Sequence, residues 1–239
     1  SCRPAISCWA VISRNSGDKM HYDSRKVNVI PWPDEPHDIG YSGCMWPDLE
    51  ARPAIRRILE SLPPCPVYLE LGVFTGVGST LPALEAREDL TVVGIDSFRC
   101  HGPNIINSLR FGKFHDGDLC DYLKGVGSCR EHFQNNLFEH RDRVTLIDQE
   151  ISEQLLADLK ATGLEPRVIF IDDDHSYEAC SDRIQSCRKL WPKAITICDD
   201  YIPRHAGVIK AVDEAVATGI WREEHMSKVG GRTVIFRDY

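Results

Sequence analysis

The sequence predicts an α/β fold with a doubly wound, mostly parallel seven-stranded sheet that closes in an antiparallel hairpin. After Pro66, short β-rich runs alternate with helical segments. The first five runs are almost continuously apolar, which is typical of strands buried on both faces of a parallel sheet. Near the end of the chain, two further runs flank a Gly-Gly pair, which indicates a hairpin.

The five parallel strands are expected at residues 67–71 (VYLEL), 91–95 (TVVGI), 144–147 (VTLI), 168–171 (VIFI) and 194–198 (AITIC). Between the last two, Cys180, Ile184, Cys187 and Trp191 recur at helical spacing and would share one helix face. A strand, a helix and a strand within about thirty residues predict a βαβ unit with a right-handed crossover.

The end of the chain is predicted to hold one more helix and then the hairpin. The segment GVIKAVDEAVATG (207–219) has helical periodicity, and Gly219 is placed to end the helix. The remaining residues, IWREEHMSKVGGRTVIFRDY, are predicted to form two strands around the glycine pair.

Residues 1–65 are expected to form a loop-rich arm with one helix, outside a domain of residues 66–239. The arm is rich in Pro, Gly and aromatic residues, and DLEARPAIRRILESL (48–62) has mostly helical spacing before PPCP ends the helix. We expect the arm, with an insert at 97–120, to cover the substrate as a lid. The aromatic residues expected in this lid are Trp32, Tyr41 and Trp46.

Charge and composition exclude several classes of partner. The 239 residues include 28 Lys and Arg against 36 Asp and Glu, a net charge of -8, without any Lys/Arg-rich run. Nucleic acid and anionic membranes are therefore not expected as partners. No apolar run approaches the roughly 20 residues that span a bilayer, so a soluble, cytoplasmic protein is expected. The 10 cysteines form no CxxC pair, which favours reduced thiols over disulfides or zinc ligands.

A glycine-rich loop follows the first strand of the predicted domain. In YLELGVFTGVGSTLPAL, Gly72, Gly76 and Gly78 lie in a strand-to-helix turn, where glycine lets a ligand approach the backbone. The spacing is GxxxGxG, which differs from the dinucleotide fingerprint GxGxxG, and the loop lacks the lysine of a P-loop. The second strand ends at Asp96, where doubly wound folds place an acid that contacts ribose hydroxyls.

Glu70-x-Gly72 followed by Asp96 resembles the class I S-adenosylmethionine-dependent methyltransferases over residues 66–239. More narrowly, ELGVFTGVGS, IDSF, FIDDDHSYE and ICDDY resemble the metal-dependent sugar O-methyltransferases related to macrocin O-methyltransferase. The resemblance implies a Rossmann-like methyltransferase fold with S-adenosylmethionine (SAM) over the glycine loop. The implied cofactor contacts are Glu70, Gly72, Gly76 and Ser79 around the methionine part, Asp96 at the ribose, and Asp148 and Gln149 near the adenine.

Three carboxylates are expected to meet at one edge of the sheet. Asp172 follows the fourth strand, and Asp199 and Asp200 follow the fifth. Neighbouring parallel strands lie about 4.8 Å apart, so these acids should face one small volume. With no Lys or Arg nearby in sequence, a shared cation is the economical explanation, and oxygen ligands favour Mg²⁺ or another hard divalent ion. The resemblance implies the same three metal ligands.

The resemblance also places a general base two or three residues after the first ligand, at Asp174 or His175. Histidine titrates near neutral pH, whereas an aspartate beside a cation is a weak base; Asp174, however, matches the last acid of the family's Asp-Gly-Asp pattern. Both candidates stay open. Asp173 is expected to point to solvent or to cap the helix near Ser176. The other histidines have no partner pattern and are expected at the surface or in loops.

The sequence therefore predicts a SAM-dependent, divalent-metal-dependent O-methyltransferase that acts on a hydroxyl of a small molecule, a sugar in natural product biosynthesis. Two alternatives are kept. In one, the chain is a metal-dependent glycosyltransferase in which Asp172, Asp173 and Asp174 form a DxD motif; in the other, it is a non-catalytic SAM-binding module. The sequence identifies neither the acceptor nor whether the chain forms a homo-oligomer.

Overall fold

A single eight-stranded sheet organises the computed structural model, which describes residues 22–37, 51–98 and 128–238. The strands are β1 (Val29–Ile30), β2 (Val67–Leu71), β3 (Thr91–Asp96), β4 (Val144–Asp148), β5 (Val168–Ile171), β6 (Ile195–Cys198), β7 (Met226–Val229) and β8 (Thr233–Phe236). Their order across the sheet is β1-β4-β3-β2-β5-β6-β8-β7. The order reverses at β2, which is the switch point where a doubly wound sheet binds its ligands.

The predicted fold class is confirmed. Strands β2 to β6 pair in parallel, and β8 and β7 then add antiparallel strands beyond β6. All seven predicted strands are present, and the five parallel ones begin and end within one residue of their expected bounds. Gly230 and Gly231, both with positive φ, form the turn of the predicted hairpin.

An eighth strand comes from the arm and was not predicted. Val29 and Ile30 pair antiparallel with Ile147 and Leu146 of β4. A two-residue strand has no periodicity that a sequence pattern can show. Just after it, the Trp32 indole N–H donates a hydrogen bond to the Val144 carbonyl at 3.0 Å.

The predicted lid is described only in part. The ring centroids of Trp32 and Phe133 lie 6.3 Å apart, so in the described structure Trp32 packs on the domain. Tyr41, Trp46 and residues 99–120 lie outside the described residues. A substrate-covering role for residues 1–65 stays a prediction.

Helices cover both faces of the sheet. They are α1 (Ala51–Ser61), α2 (Thr80–Ala86), α3 (Cys129–Asn136), α4 (Glu153–Ala161), α5 (Tyr177–Leu190) and α6 (Ala206–Ala217), with 3-10 turns at 138–143, 203–205 and 223–225. One apolar core joins α4, α5 and α6 to the sheet, and the other joins α1, α2 and α3 to the opposite face. Alternate strand residues divide between the two cores: Leu69 and Leu71 belong to the first and Tyr68 to the second. No helix in the described ranges is long and apolar enough to cross a membrane.

Four of the five cysteines in the described residues are small core residues. Cys129, Cys180, Cys187 and Cys198 are buried free thiols. On α5, Ile184 and Trp191 are buried beside Cys180 and Cys187, which confirms the predicted helix face. The expectation of reduced thiols is wrong for Cys65, which forms a disulfide.

Candidate cofactor and metal site

The glycine loop and the acidic run touch through their backbones. Gly72 follows β2 with a φ of +85°, and its N–H donates to the Ile95 carbonyl at 2.9 Å. A Cβ at this position would overlap the carbonyl oxygen of Asp172 and lie 2.7 Å from the Asp173 Cα. Only glycine fits this conformation and this spacing. The fold therefore brings together two motifs that the sequence separates.

Glu70 fixes the shape of the glycine loop. Its side chain is fully buried; one carboxylate oxygen accepts a hydrogen bond from the Ser79 hydroxyl, and the other accepts from Thr80 Oγ1 at 2.7 Å. Burial raises the pKa of Glu70 to about 8. Glu70 thus links β2 to the start of α2 by hydrogen bonds across the loop. Its predicted contribution to cofactor binding would then be to hold the loop in shape.

The other two loop glycines have different surroundings. Gly76 has a φ of +77°, and a Cβ there would lie 2.9 Å from side-chain atoms of Phe133 and Leu137. A Cβ on Gly78 would meet no atom of the described residues within 4 Å. Packing against α3 therefore requires Gly76, whereas Gly78 leaves space at the loop surface that a side chain would fill.

Asp96 accepts hydrogen bonds from three backbone N–H groups. Its Oδ2 accepts from Val73 at 3.0 Å and Phe74 at 2.9 Å, and its Oδ1 accepts from Phe98 at 2.7 Å. Burial raises the pKa of Asp96 even though these three bonds lower it. A carboxylate has about four acceptor sites, so one remains for a ligand hydroxyl. The ribose contact stays a prediction, and Asp96 also holds the glycine loop.

Asp148 lies beside Asp96 on the next strand, where the two residues are register partners. Its carboxylate accepts from Arg130 Nη1 at 2.9 Å, and its carbonyl accepts from Asn28 Nδ2 at 2.9 Å. The Gln149 side-chain oxygen accepts from the Asn28 backbone N–H at 3.2 Å. Sequence reasoning did not find Arg130 and Asn28, because neither belongs to a motif. The predicted adenine end is thus bordered by the arm and by α3.

The three predicted ligand carboxylates do lie at one edge of the sheet. Asp172 N–H donates to the Leu71 carbonyl at 2.9 Å, and Asp199 N–H donates to the Ile171 carbonyl at 3.1 Å. These bonds extend the ladder past the strand ends and place the two aspartates on adjacent strands. Asp200 has a φ of +57°, a left-handed conformation that costs a non-glycine residue free energy and that clusters at functional sites.

A cation supplied by the hairpin lies among these acids. Arg232 Nη2 contacts Asp200 Oδ1 closely, and Arg232 Nε lies 3.4 Å from Asp199 Oδ1. The Thr233 hydroxyl also donates to Asp199 Oδ1 at 2.9 Å. A shared cation was inferred from the lack of Lys or Arg nearby in sequence, but the fold brings in Arg232, which is distant in sequence and adjacent in space. With three carboxylates and one guanidinium, the four side chains sum to a charge of -2 before any histidine is counted.

Two imidazoles complete the cluster. His175 Nε2 lies 3.3 Å from Asp172 Oδ1 and 3.1 Å from Asp200 Oδ2, and His205 Nε2 lies 3.4 Å from the same Asp200 oxygen. The two ring centroids are 4.2 Å apart. His205 was expected at the surface or in a loop; it is the last residue of the 3-10 turn before α6, and its place in the cluster was missed. No local sequence pattern links it to the acids.

Burial and contacts within the cluster shift the pKa values of its titratable groups in different directions. Burial lowers the pKa of His175, but its hydrogen bonds to Asp172 and Asp200 raise it more, to about 10. Burial raises the pKa of Asp172 to about 7. Burial and the neighbouring charge of His175 lower the pKa of His205. Without other ligands, the two carboxylates therefore favour the imidazolium form of His175, whereas burial and the charge of His175 disfavour that form of His205.

The neighbours of His175 in sequence have separate roles. Asp174 is exposed, and its Oδ1 accepts from the Ser176 N–H at 2.7 Å. Asp173 is mostly buried and pairs with Arg183 Nε at 2.9 Å. The expectation that Asp173 faces solvent or caps the helix is wrong; Ser176 caps α5 by accepting from the Ala179 N–H. Arg183, in the second turn of α5, provides the partner that lets Asp173 be buried.

No protein-family model and no curated protein matches the chain. Among solved structures, it is similar to the O-methyltransferase NovP, with 22% identity, a TM-score of 0.49 and 78% of each chain covered. Precorrin-6y C5,15-methyltransferase from Geobacter metallireducens GS-15 shows 13% identity and a TM-score of 0.46, over 84% of this chain and 95% of the other. MycE methyltransferase, solved in complex with Mg and SAH, shows 11% identity and a TM-score of 0.44, over 78% of this chain and 48% of the other. All three are methyltransferases, and at these identities the likeness concerns the fold alone.

Proposed function

We propose that the chain is a SAM-dependent O-methyltransferase that acts on a hydroxyl of a small molecule and uses a divalent metal ion. The observation that carries the proposal is the backbone contact between Gly72 and Asp172. It joins a cofactor-type glycine loop to a cluster of carboxylates at the switch point of the sheet. A methyl donor over one loop would thus lie beside an acceptor over the other.

The residues at this edge suit the proposed cofactor. Gly78 lies open at the loop surface, where a Cβ would meet none of the described residues within 4 Å, and Glu70 holds the loop in one shape. Asp96 and Asp148 lie side by side on the next two strands, toward the arm. When bound, SAM would supply a sulfonium methyl group for in-line transfer. The chain's part is to hold donor and acceptor in one orientation, which contributes strongly to the rate of such reactions.

The proposed metal would be held at the ends of β5 and β6. When bound, a divalent cation lowers the pKa of a coordinated hydroxyl and fixes its direction. Asp172 and Asp200 each have an oxygen in contact with His175, while Asp199 is engaged by Thr233 and Arg232. The resemblance supports Asp172, Asp199 and Asp200 as ligands, and a site of those oxygen donors alone would favour Mg²⁺ or another hard divalent ion.

A base must take the acceptor's hydroxyl proton. Asp174 and His175 stay the two candidates. His175 would first have to release the proton that it shares with Asp172 and Asp200, because those contacts stabilise the imidazolium. Asp174 is exposed, and its Oδ1 accepts from Ser176 while its Oδ2 has no hydrogen bond to another of the described residues.

For the acceptor, we propose a sugar hydroxyl of a glycosylated natural product, on the strength of the sequence resemblance. The direct test incubates the protein with methyl-labelled SAM, a divalent ion, and a panel of free sugars and glycosylated natural products. Label transferred to a hydroxyl, and lost in excess chelator, is the expected result. Full transfer in chelator would remove the metal from the proposal. Turnover of a sugar nucleotide, without any methyl transfer, would favour the glycosyltransferase alternative.

A further inference from the structure

We propose that the metal site of this chain is built from His175, His205, Asp200 and Asp172, and that it selects a first-row transition ion such as Co²⁺ or Zn²⁺ over Mg²⁺. In the described part of the chain, the group of potential ligands that converges most closely is His175, Asp200 and His205, whose ligand atoms all lie within 4.8 Å of one another. Asp172 Oδ1 joins this group through its 3.3 Å approach to His175 Nε2.

The spacing of these atoms suits a shared cation. Donor atoms that bind one ion at 2.0–2.2 Å lie about 3.0–3.5 Å from one another. Of the six distances among the four donors, three are 3.1, 3.3 and 3.4 Å, and the donor atoms of His175, Asp200 and His205 all lie within 4.8 Å of one another. Asp200 Oδ2 lies at the centre, in contact with both imidazoles.

The backbone segments that carry the two histidines pack closely because a glycine lies at their contact. A Cβ on Gly207, at the start of α6, would overlap the His175 carbonyl oxygen and lie 2.6 Å from the Tyr177 nitrogen. Glycine there lets α6 approach the loop before α5, which brings His205 to His175. Asp200 reaches the same point through its left-handed φ of +57°.

Arg232 and Thr233 engage Asp199, which is not among the proposed ligands. Asp199 Oδ1 accepts a hydrogen bond from Thr233 and lies near Arg232 Nε. Asp200 contacts Arg232 through its Oδ1 and the two histidines through its Oδ2. The guanidinium therefore neutralises one charge of the three carboxylates, and the remaining charge of -2 matches a divalent ion bound by two neutral imidazoles. Asp199 then acts on the site by orienting Arg232.

The mixed donor set decides the class of ion. Imidazole nitrogen suits Zn²⁺, Fe²⁺, Ni²⁺ and Co²⁺, whereas Mg²⁺ prefers oxygen ligands and retains water. His175 and Asp172 are half-buried, so one side of the cluster stays open to a substrate oxygen. If the site serves the proposed methyl transfer, His175 is a ligand and the role of base falls to Asp174; that consequence rests on the proposed function, whereas metal binding does not.

The test titrates the full chain, stripped of metals by chelator, with Co²⁺ and follows its visible d–d absorption. Zn²⁺ and Mg²⁺ are then compared as competitors. We expect Co²⁺ and Zn²⁺ to bind more tightly than Mg²⁺, and His205→Gln to weaken Co²⁺ binding by about tenfold or more. Asp199→Asn should weaken it less than His205→Gln does. His225→Gln is the matched control, because His225 pairs with Asp238, outside the proposed site.

A second readout needs no variant. In the unsubstituted chain labelled with ¹⁵N-histidine, Zn²⁺ should shift the Nε2 resonances of two imidazoles. Unchanged Co²⁺ binding in His205→Gln, loss of binding in Asp199→Asn alone, or no shifted imidazole would overturn the proposal in favour of a three-carboxylate site or none. These measurements contain neither SAM nor acceptor. A protein that binds Co²⁺ as proposed but no cofactor would refute the methyltransferase and leave the metal site standing.

Discussion

Gly72 and Asp172 are in direct backbone contact, although one belongs to the glycine loop and the other begins the acidic run. A Cβ on Gly72 would overlap the Asp172 carbonyl oxygen. Because β2 and β5 are neighbouring parallel strands, the loops that follow them emerge side by side. The contact fixes the distance between the proposed cofactor loop and the proposed metal ligands, so a change at Gly72 should affect both.

Gly72→Ala should therefore destabilise the protein and abolish cofactor binding. Gly163→Ala is the matched control. Gly163 has a φ of +88°, but a Cβ there would have no atom of the described residues within 4 Å. The control should lose about 1–2 kcal/mol of unfolding free energy from the left-handed conformation alone. Gly72→Ala should lose about 1–3 kcal/mol more, from overpacking. Denaturant unfolding of both variants measures the difference, and equal losses would contradict the contact.

Glu70 should make stability depend on pH. Its pKa rises from 4.5 to about 8 in the folded protein, so between these values the folded state holds a proton that the unfolded state has lost. This contribution is complete below pH 4.5 and is lost as pH rises through 8, at up to about 1.4 kcal/mol per unit. Glu70→Gln cannot ionise and should flatten the fall in unfolding free energy between pH 5 and 8. Glu60→Gln, on the exposed side of α1, is the control and should keep the wild-type slope.

Much of the fold and part of the site could be predicted from the sequence. Buried strands such as Val168–Ile171 and the helix face of Cys180 and Ile184 were found because their patterns are local. Arg232 and His205 were missed because their relation to the acids exists only after the chain folds back. Asp173 was misjudged because its burial depends on Arg183, within the next helix.

Replacing Arg232 should leave the repulsion between the three carboxylates uncompensated. Its side chain is 23% exposed and contacts Asp199 and Asp200, so Arg232→Gln should lower the unfolding free energy by about 2 kcal/mol in chelator. The loss should be smaller when Co²⁺ or Zn²⁺ is present, because the ion supplies the missing positive charge. Arg222→Gln, with its side chain 72% exposed, is the control. An equal loss with and without metal would mean that Arg232 and the ion do not share these carboxylates.

The two candidate bases can be separated by single-turnover kinetics. If His175 is a metal ligand, Asp174→Asn should slow the chemical step by about 10²–10⁴-fold and leave Co²⁺ affinity unchanged. His175→Ala should weaken Co²⁺ binding, and excess metal should restore part of its activity. The pH profiles of the two variants should also differ. If neither substitution slows the chemical step, both residues lose the role of base.

If the glycine loop binds SAM, calorimetric titration with S-adenosylhomocysteine in chelator should detect that binding without any metal. We expect micromolar binding, retained in Asp199→Ala, since Asp199 lies on the acidic side of the site. The same titration with Gly72→Ala should show no binding. Binding of a sugar nucleotide, without binding of S-adenosylhomocysteine, would show that the glycine loop is not a SAM site.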